Sequence, residues 1–348
     1  MQPSSTHPVV IQSEDALLEL LTRPSTPLVE FVKTLSGPLL VLGAGGKMGP
    51  TLCVLAKRAA EQAVHPLPVV AVSRFTDTKT RQWLEARGIE TVSADLLDRN
   101  AVLRLPDAAN VVNLTGLKFG TAQNPALTWA TNTLAPSFVA ERYAGSRIVA
   151  LSTGNVYPLV SATSGGATED HPLTPFGEYG NAAVARERIF EYFSQRNGTA
   201  VALIRLNFAI ELRYGVLSDI GRRVWDGEPI DVANGWFNCI WQGDANDMIL
   251  RALALTNSPA QAWNLSSVKA LRVRDVAERF AELFGKPAHL SGSEAPDSFL
   301  CNAVKLCDRL GPPPTPLGTV MEWTAQWIRA GGSRWNKSTH FEVRDGTY

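Results

Sequence analysis

The feature that most constrains the fold is a glycine cluster between a short apolar run and an amphipathic segment. The stretch "PLLVLGAGGKMGPTLCVLAKRAAEQ" covers residues 38–62 and places Gly43, Gly46 and Gly49 at three-residue intervals. Apolar run, glycine turn and helical periodicity predict a strand-turn-helix unit. Such a turn lets backbone approach a pyrophosphate and aims free N–H groups at it. The alternative is a glycine turn that only permits close packing of helix on strand.

The alternation of strand and helix continues through the first 206 residues. The strand-like segments are "LPVVAVSRF", "IETVSADLL", "NVVNLTG", "SRIVALSTG" and "TAVALIRLN". The helix-like segments between them are "TKTRQWLEARG", "PALTWATNTLAPSFVAERYA" and "EYGNAAVARERIFEYF". Apolar strands without regular polar alternation are typical of a parallel sheet that is covered on both faces. The sequence therefore predicts an α/β fold, a doubly wound Rossmann-type parallel sheet with helices on both faces.

The rest of the chain predicts additions to this sheet. Apolar residues at helical spacing around Pro24 and Pro27 predict an N-terminal helical appendage over residues 1–37. The predicted Rossmann domain covers residues 38–206 and is completed by about 237–265. Residues 207–236 and 266–348 are expected to form a smaller C-terminal substrate-binding lobe, with helices at about 247–255, near 273–284 and after Val320.

Composition narrows the range of partners. Lys+Arg and Asp+Glu number 33 each, without runs of like charge, which predicts neither a nucleic-acid surface nor a membrane surface and favours a small-molecule partner. Four cysteines without metal-ligand spacing predict no metal site and fit a reducing, cytoplasmic location. No apolar run reaches the length of a membrane span.

The end of the second predicted strand bears on the cofactor. An acid there would bond the adenosine ribose of NAD, whereas this chain has Ser73-Arg74. An arginine without a nearby acid accepts a 2′-phosphate, and Lys47 is expected to add a second cation on the same side. The pattern favours NADP(H) over NAD(H). In the alternative, Arg74 stacks on the adenine or lies in solvent.

Several segments, in the same order along the chain, resemble the extended short-chain dehydrogenase/reductase superfamily. "GAGGKMG" resembles its cofactor loop, "ADLLD" and "NLTGLKFG" its third- and fourth-strand motifs, and "LSTGNVYP", "LIRLN" and "IWQGDAND" its later segments. The resemblance spans roughly residues 38–328. It implies a nicotinamide cofactor, a sugar or nucleotide-sugar substrate and, by analogy, a possible homodimer.

The resemblance also implies roles for particular residues. Thr153 and Tyr179 match the catalytic hydroxyl residues, Asn132 a structural asparagine, and Glu187 an acid farther along the tyrosine helix. The implied cofactor-binding residues are Gly43, Gly46, Lys47, Met48, Gly49, Ser73, Arg74, Asp95, Leu96, Thr115, Gly116, Lys118 and Tyr179. The implied substrate-binding residues are Asn155, Asn181 and Asn207, of which the first two cap turns in the alternative.

One position departs from the family motif. The motif is Y-x-x-x-K, but Ala183 stands four residues after Tyr179. In the family the lysine bonds the nicotinamide ribose and lowers the pKa of the tyrosine, and an unassisted phenol titrates near ~10 and is a poor base. Three hypotheses follow: Lys118 or Arg186 supplies the cation, the small Ala182-Ala183 floor admits an unusual substrate, or redox turnover has been lost.

Other residues carry weaker signals. His171 and His340 would supply proton transfer in place of the altered tyrosine motif, although a lone loop histidine is more often a polar surface group. Trp236, Phe237 and Trp241 would stack on a base or sugar ring, but aromatic residues in a chain with nine tryptophans are more often core.

The function expected from these features is hydride transfer. The resemblance implies an NAD(P)-dependent oxidoreductase, epimerase or dehydratase that acts on a sugar or nucleotide sugar, with Thr153 and Tyr179 at the reacting oxygen. The alternative is a catalytically degenerate NADP(H)-binding sensor or regulatory protein.

Overall fold

The structure is a computed structural model that describes residues 10–121, 123–335, 337 and 339–347. Its helices within this part of the chain are α1 Glu14–Leu21, α2 Thr26–Val32, α3 Gly49–Gln62, α4 Thr78–Glu85, α5 Arg99–Leu103, α6 Pro125–Arg142, α7 Gly177–Asn197, α8 Val216–Asp226, α9 Gln242–Arg251, α10 Val273–Phe284, α11 Val304–Leu310 and α12 Leu317–Arg329. Its strands are β1 Leu39–Leu42, β2 Val69–Ser73, β3 Glu90–Ser93, β4 Asn110–Asn113, β5 Arg147–Thr153, β6 Val160–Ser161, β7 Val201–Leu206, β8 Ala209–Ile210, β9 Ile230–Asp231, β10 Trp236–Phe237, β11 Ile240–Trp241, β12 Gln261–Leu265, β13 Leu271–Arg272, β14 Leu290–Ser291 and β15 Asp297–Ser298.

A seven-stranded sheet lies at the centre, in the order β12-β7-β5-β4-β1-β2-β3. Every neighbouring pair in it is parallel. The chain winds outward from β1 through β2 and β3, then crosses to β4 and continues on the other side. Ligands of such sheets bind beyond the carboxyl ends of the strands where the winding reverses. The predicted doubly wound α/β fold is confirmed, and its switch point lies between β1 and β4.

Both faces of the sheet are covered by apolar side chains. Along β1, Leu39 and Val41 belong to an apolar cluster with residues of α3 and α9, whereas Leu40 and Leu42 belong to a second cluster with residues of α6 and α7. Successive strand residues point to opposite faces, so this division means that helices pack on each side. It explains why the strand segments are apolar at consecutive positions.

A third apolar cluster builds a smaller lobe. Helices α8, α10 and α12 contribute to it, and Phe341 from the C-terminal segment is buried in it. Sequence analysis did not predict α8. This helix starts after Gly215 without a side-chain cap, so it lacks the polar residue that usually marks a helix start.

The two N-terminal helices are present where sequence periodicity placed them. Ser13 and Ser25 cap α1 and α2 by accepting backbone N–H bonds, and Pro27 lies in the first turn of α2. Leu17 of α1 is buried in the lobe cluster, whereas Leu28 of α2 is buried against the sheet. The helices therefore pack into both cores. Residues 1–9 of the predicted appendage lie outside the described residues, and the domain boundaries stay predictions.

The C-terminal segment crosses from the lobe to the start of α7. A Cβ on Gly346 would lie 2.4 Å from the Phe176 carbonyl oxygen, and one on Gly177 would lie equally close to the Gly346 backbone. Arg344 donates to the Asp297 carbonyl at 2.6 Å and holds the segment to the lobe. The segment thus ends against the first turn of the helix that carries Tyr179.

Candidate active site

The glycine loop joins β1 to α3 at the switch point of the sheet. Gly43 has a φ of +76°, and a Cβ on Gly49 would lie 2.4 Å from the Ala44 carbonyl oxygen. Helix α3 begins at Gly49 without a side-chain cap, so its first N–H groups are not bonded by a capping side chain. This cradle fits the pyrophosphate of a dinucleotide, because backbone and helix N-terminus both face the anion.

The loop opens onto a cleft of about 330 Å³ that follows the carboxyl ends of β1 to β4. We call it the dinucleotide cleft. The predicted cofactor residues that line it are Gly43, Gly46, Ser73, Arg74, Asp95, Leu96, Thr115 and Gly116. Met48 instead packs in the apolar cluster under the loop, and Asp95 accepts the Leu97 backbone N–H at 3.0 Å. The fold therefore brings most of the predicted cofactor residues to one groove.

Sequence analysis missed an acid at the end of β2. Asp77 lines the dinucleotide cleft together with the exposed Arg74. Its carboxylate caps α4 by accepting the Lys79 backbone N–H at 3.0 Å and the Thr80 hydroxyl at 2.9 Å, and these hydrogen bonds lower the pKa of Asp77. The sequence did contain a signal for Asp77, because an aspartate directly before a helical segment is typical of a helix N-cap. Arg74 therefore shares its cleft with a carboxylate.

The side chain of Lys47 does not join Arg74, so this expectation was wrong. Its Nζ donates to the Ala209 carbonyl at 2.6 Å and lies 4.0 Å from the Tyr214 ring centroid. Both partners follow β7. Burial lowers the pKa of Lys47 to about 7, and nearby Glu211 partly opposes that shift. Lys47 thus links the glycine loop to the segment that follows β7.

Thr153 and Tyr179 lie at the carboxyl end of β5 and in the first turn of α7. The Thr153 hydroxyl donates to Asn155 Oδ1 at 3.0 Å and accepts the Asn155 backbone N–H at 3.2 Å. The two side chains are 6% and 8% exposed. Neither is among the described residues that line the dinucleotide cleft. Asn155 therefore orients the threonine hydroxyl in a nearly closed position.

Two cations lie near the site outside the usual motif position, and Lys118 is the one beside the tyrosine ring. Nζ of Lys118 lies 5.9 Å from the Tyr179 ring centroid and 5.5 Å from that of Phe208. Burial lowers the pKa of Lys118 from 10.5 to about 8. The site therefore has a nearby ammonium group whose charge is sensitive to pH near neutrality.

Arg186 is the second cation and is 3% exposed. Its Nη1 donates to the Thr115 carbonyl at 3.1 Å and to Asn132 Oδ1 at 2.9 Å. A Cβ on Gly116 would lie 2.4 Å from this nitrogen, so only glycine leaves room for the guanidinium there. Arg186 Nε has no hydrogen-bond partner among the described residues. The guanidinium thus lies directly beneath the backbone that borders the dinucleotide cleft.

Ala183 contributes no open space. Its side chain is fully buried in an apolar cluster with Val156, Tyr157, Leu300 and Cys301. Ala182 is fully buried as well. The hypothesis that these two alanines form a floor for an unusual substrate was therefore wrong, because Val156 and Tyr157, which follow β5, and residues 300–301 fill the position.

The three predicted substrate asparagines have different surroundings. Asn207 is buried, donates to Asn238 Oδ1 at 2.7 Å, and lies against Gly154 beside Thr153. Asn181 is exposed and donates to the Gly177 carbonyl, four residues earlier in α7, at 2.8 Å. Asn155 and Asn207 therefore lie beside Thr153, whereas Asn181 is occupied within its own helix.

Glu187 belongs to a buried network between α7 and the central sheet. It pairs with Arg205 at 2.7 Å, accepts the Ser152 hydroxyl, and connects through Arg205 to Tyr157. Tyr157 in turn donates to Asn264 at 2.8 Å. This network ties β5, β7 and β12 to the helix that carries Tyr179, so it fixes the position of that helix on the sheet.

The remaining candidates have mainly structural surroundings. Trp241 packs on Trp323 with ring centroids 5.6 Å apart, and Phe237 is buried in the same lobe cluster. Trp236 is half-buried under Arg272. His171 accepts the Thr168 backbone N–H within a loop, and the His340 ring lies 6.2 Å from that of Phe119. Of the two histidines, His340 is the one near the residue that follows Lys118.

The described part of the chain holds no group of acidic, histidine and cysteine side chains suited to a metal ion. Within the same residues, no helix is long and apolar enough to cross a membrane.

Comparisons with known proteins identify the family and agree with the fold. The sequence model of the NAD dependent epimerase/dehydratase family matches residues 39–261, which is more than half of the chain. A search of curated protein sequences gives no significant match.

Solved structures share the fold at low sequence identity. UDP-glucose 4-epimerase of Thermus thermophilus, solved with NAD, superposes with a TM-score of 0.69 at 19% identity, over 84% of this chain and 99% of the other. UDP-glucuronic acid 4-epimerase of Bacillus cereus, solved with NAD, gives 0.70 at 17% identity, over 84% and 98%. The dTDP-glucose 4,6-dehydratase of Bacillus anthracis, also with NAD, gives 0.69 at 16% identity, over 84% and 97%.

The family match and the shared fold confirm the resemblance to extended short-chain dehydrogenases/reductases. The matched residues include the glycine loop, Thr153 and Tyr179. The chain therefore belongs to the NAD-dependent epimerase/dehydratase family.

Proposed function

We propose that this chain is a nicotinamide-dependent enzyme that acts on a sugar or nucleotide sugar by epimerase, dehydratase or reductase chemistry. The family supports this class of reaction, and the three similar structures named above, two epimerases of UDP-sugars and a dehydratase of a dTDP-sugar, were each solved with NAD. The observation that carries the proposal is the ammonium group of Lys118, 5.9 Å from the Tyr179 ring centroid although Ala183 removes the motif lysine.

The residues divide the work at the reacting carbon. A bound nicotinamide would supply hydride exchange with that carbon. Thr153, oriented by Asn155, would hydrogen-bond the reacting oxygen, and Tyr179 would give or take its proton. The nearby positive charge of Lys118 would stabilise negative charge that develops on the reacting oxygen during proton transfer, because a fixed opposite charge acts strongly in a buried site.

Arg186 is proposed to take over the other task of the absent lysine. Helical side chains lean toward the helix N-terminus, so Arg186 reaches back over the turn that contains Ala183. Its guanidinium lies at Thr115 and Gly116, which border the dinucleotide cleft, and its Nε has no partner among the described residues. It would therefore position the β4 end of the cleft and bond the nicotinamide ribose.

The preference for NADP(H) is also proposed, and it rests on Arg74. This arginine lines the dinucleotide cleft and is exposed to a ligand there. A guanidinium group suits a 2′-phosphate because it can donate two parallel hydrogen bonds. Asp77 in the same cleft would oppose that preference, so the balance between the two cofactors depends on both side chains.

A second candidate function is a cofactor-binding sensor without turnover. The observation that favours it is the burial of the catalytic pair, since Thr153 and Tyr179 are both less than a tenth exposed. A sensor would bind the dinucleotide and respond to its redox state without exchanging hydride with a sugar.

One experiment separates the two functions. The protein is loaded with NAD⁺ or NADP⁺, mixed with a panel of UDP- and dTDP-sugars, and followed by nicotinamide absorbance and by chromatography of the sugars. Turnover with at least one sugar is expected, and Tyr179→Phe should lower it by about 10²- to 10⁴-fold. The matched control is Tyr192→Phe, on the exposed face of the same helix. Cofactor binding without any product would contradict the proposed enzyme and favour the sensor. Equal turnover by Tyr179→Phe would leave the enzyme in place but contradict the proton-transfer role of Tyr179.

A further inference from the structure

A second cavity lies across the glycine loop from the dinucleotide cleft, with a volume of about 520 Å³. We call it the interlobe cavity. Its lining comes from α1, the glycine loop, α4, the segment after Lys118, and the lobe. The volume is in the range of about 300–1,000 Å³ that small-molecule sites occupy.

The wall from the lobe is braced by backbone and ring contacts. The Trp335 N–H donates to the Arg213 carbonyl at 3.0 Å, and the Trp335 and Tyr214 rings lie 6.0 Å apart. The Arg213 guanidinium lies over the Trp335 ring at 5.1 Å. Trp83 of α4 lies in the lining contributed by the sheet domain. The cavity thus has flat aromatic surfaces of the kind that bind planar or apolar groups.

The charge of the lining has one sign. Lys47, Lys79, Arg213 and Lys337 are cationic, and no carboxylate is among the described residues that line the cavity. Arg213 is offset by Glu211 and Glu14, at 3.2 and 3.1 Å. Within the described residues, Lys47, Lys79 and Lys337 form no ion pair with a carboxylate. Burial lowers the pKa of Lys47 to about 7, so a nearby anion would stabilise its charged form.

We propose that the interlobe cavity binds a small organic anion with an aromatic or apolar body, beside the dinucleotide and not in its place. Among their described lining residues, the cavity and the dinucleotide cleft share Gly45, Gly46 and Thr80 and otherwise differ. Aromatic walls would take the apolar body, and the lysines would take the acid group. The site uses the N-terminal helix and the segment around Trp335, so it gives both of these additions a ligand-binding role.

The test uses a pair of probes that differ in charge. Anilinonaphthalene sulfonate is an aromatic anion, and phenylnaphthylamine is its uncharged relative; binding of each is followed by fluorescence in the full-length protein. The variant is Lys79→Glu/Lys337→Glu, at two exposed cavity positions. The control is Lys33→Glu/Lys305→Glu, at two exposed positions outside the cavity that give the same change in net charge. Circular dichroism verifies folding.

The unaltered protein should bind the sulfonate more tightly than the amine. The cavity variant should bind the sulfonate about tenfold more weakly, whereas its binding of the amine should weaken by less than about twofold. The control variant should resemble the unaltered protein. Saturating NAD⁺ should leave the sulfonate bound, with a dissociation constant changed by less than about threefold. The proposal is overturned if NAD⁺ displaces the probe, if both probes bind equally, or if the two double variants behave alike.

Discussion

Replacing Arg186 by methionine tests the idea that this residue supports the cofactor in place of the motif lysine. Methionine keeps an unbranched apolar stem but removes the guanidinium. The hydrogen bonds from Nη1 to the Thr115 carbonyl and to Asn132 Oδ1, at 3.1 and 2.9 Å, are then lost. The end of β4 loses the group that holds it against α7, and the dinucleotide cleft loses a cation at its border.

The size of the effect follows from these contacts. A hydrogen bond to a charged group contributes about 1.5–3 kcal/mol, and two are lost. Removal of a buried guanidinium whose Nε is unpaired offsets part of that cost, so the free energy of unfolding should fall by about 2–4 kcal/mol. Loss of a hydrogen bond to the nicotinamide ribose would weaken cofactor binding by roughly tenfold to hundredfold.

Calorimetric binding of ADP-ribose and of ADP separates the ribose contribution from stability. ADP-ribose carries a terminal ribose in the place of the nicotinamide ribose, whereas ADP ends at the pyrophosphate. Arg186→Met should reduce the advantage of ADP-ribose over ADP, and Arg186→Lys should restore part of it. The control is Arg188→Met, since Arg188 is exposed on the same helix and pairs with Glu191.

An unchanged advantage of ADP-ribose in a folded Arg186→Met protein would refute the assignment. The same holds if the binding of ADP and of ADP-ribose weakens equally, because the arginine would then act on the cleft as a whole and not on the ribose. Urea unfolding of each variant determines whether the expected loss of stability is present.

Three further outcomes follow from the structure. Glu187→Ala leaves the buried Arg205 without the carboxylate that it pairs with at 2.7 Å. The free energy of unfolding, measured in urea, should fall by about 3–5 kcal/mol. A fall of less than about 1 kcal/mol would contradict the structural role of the network of Glu187, Arg205 and Tyr157. Burial lowers the pKa of Lys47 to about 7 and that of Lys118 to about 8, from 10.5 for both. Between these lowered values and pH 10.5 the unfolded chain binds more protons than the folded protein, so the free energy of unfolding should rise with pH in that range. Replacing both lysines by methionine should make the free energy of unfolding, measured in urea, depend less on pH. Arg74→Ala should weaken NADP⁺ binding, measured by calorimetry, by about tenfold to hundredfold and should change NAD⁺ binding by less than about twofold. Equal losses of affinity for the two cofactors would refute the 2′-phosphate assignment.

The sheet could be predicted from sequence because its signals are local. Consecutive apolar residues such as those of β1, followed by glycines and an amphipathic helix, specify a buried parallel strand and its crossover. The motif positions then follow in order along the chain. Helix α8 was not predicted, although its buried Val216, Ile220 and Val224 recur at helical spacing.

The site was predicted less completely because side-chain direction depends on distant segments. Lys47 turns toward Ala209 and Tyr214, which lie more than a hundred and sixty residues away in the chain. Ala183 is packed by Leu300 and Cys301 from the far end of the sequence. No local pattern records these contacts. Arg186 could be proposed beforehand, since seven residues after Tyr179 is the same face of a helix.

The central claim is that Tyr179 and Thr153 meet the nicotinamide of a bound cofactor with a cation beside them. Its most direct test is a crystal structure with NAD⁺ or NADP⁺ bound. The account predicts the nicotinamide ring beside Thr153 and Tyr179, with Lys118 or Arg186 within hydrogen-bond distance of its ribose. A nicotinamide turned away from both hydroxyls, with no cation at its ribose, would contradict the account and favour the sensor.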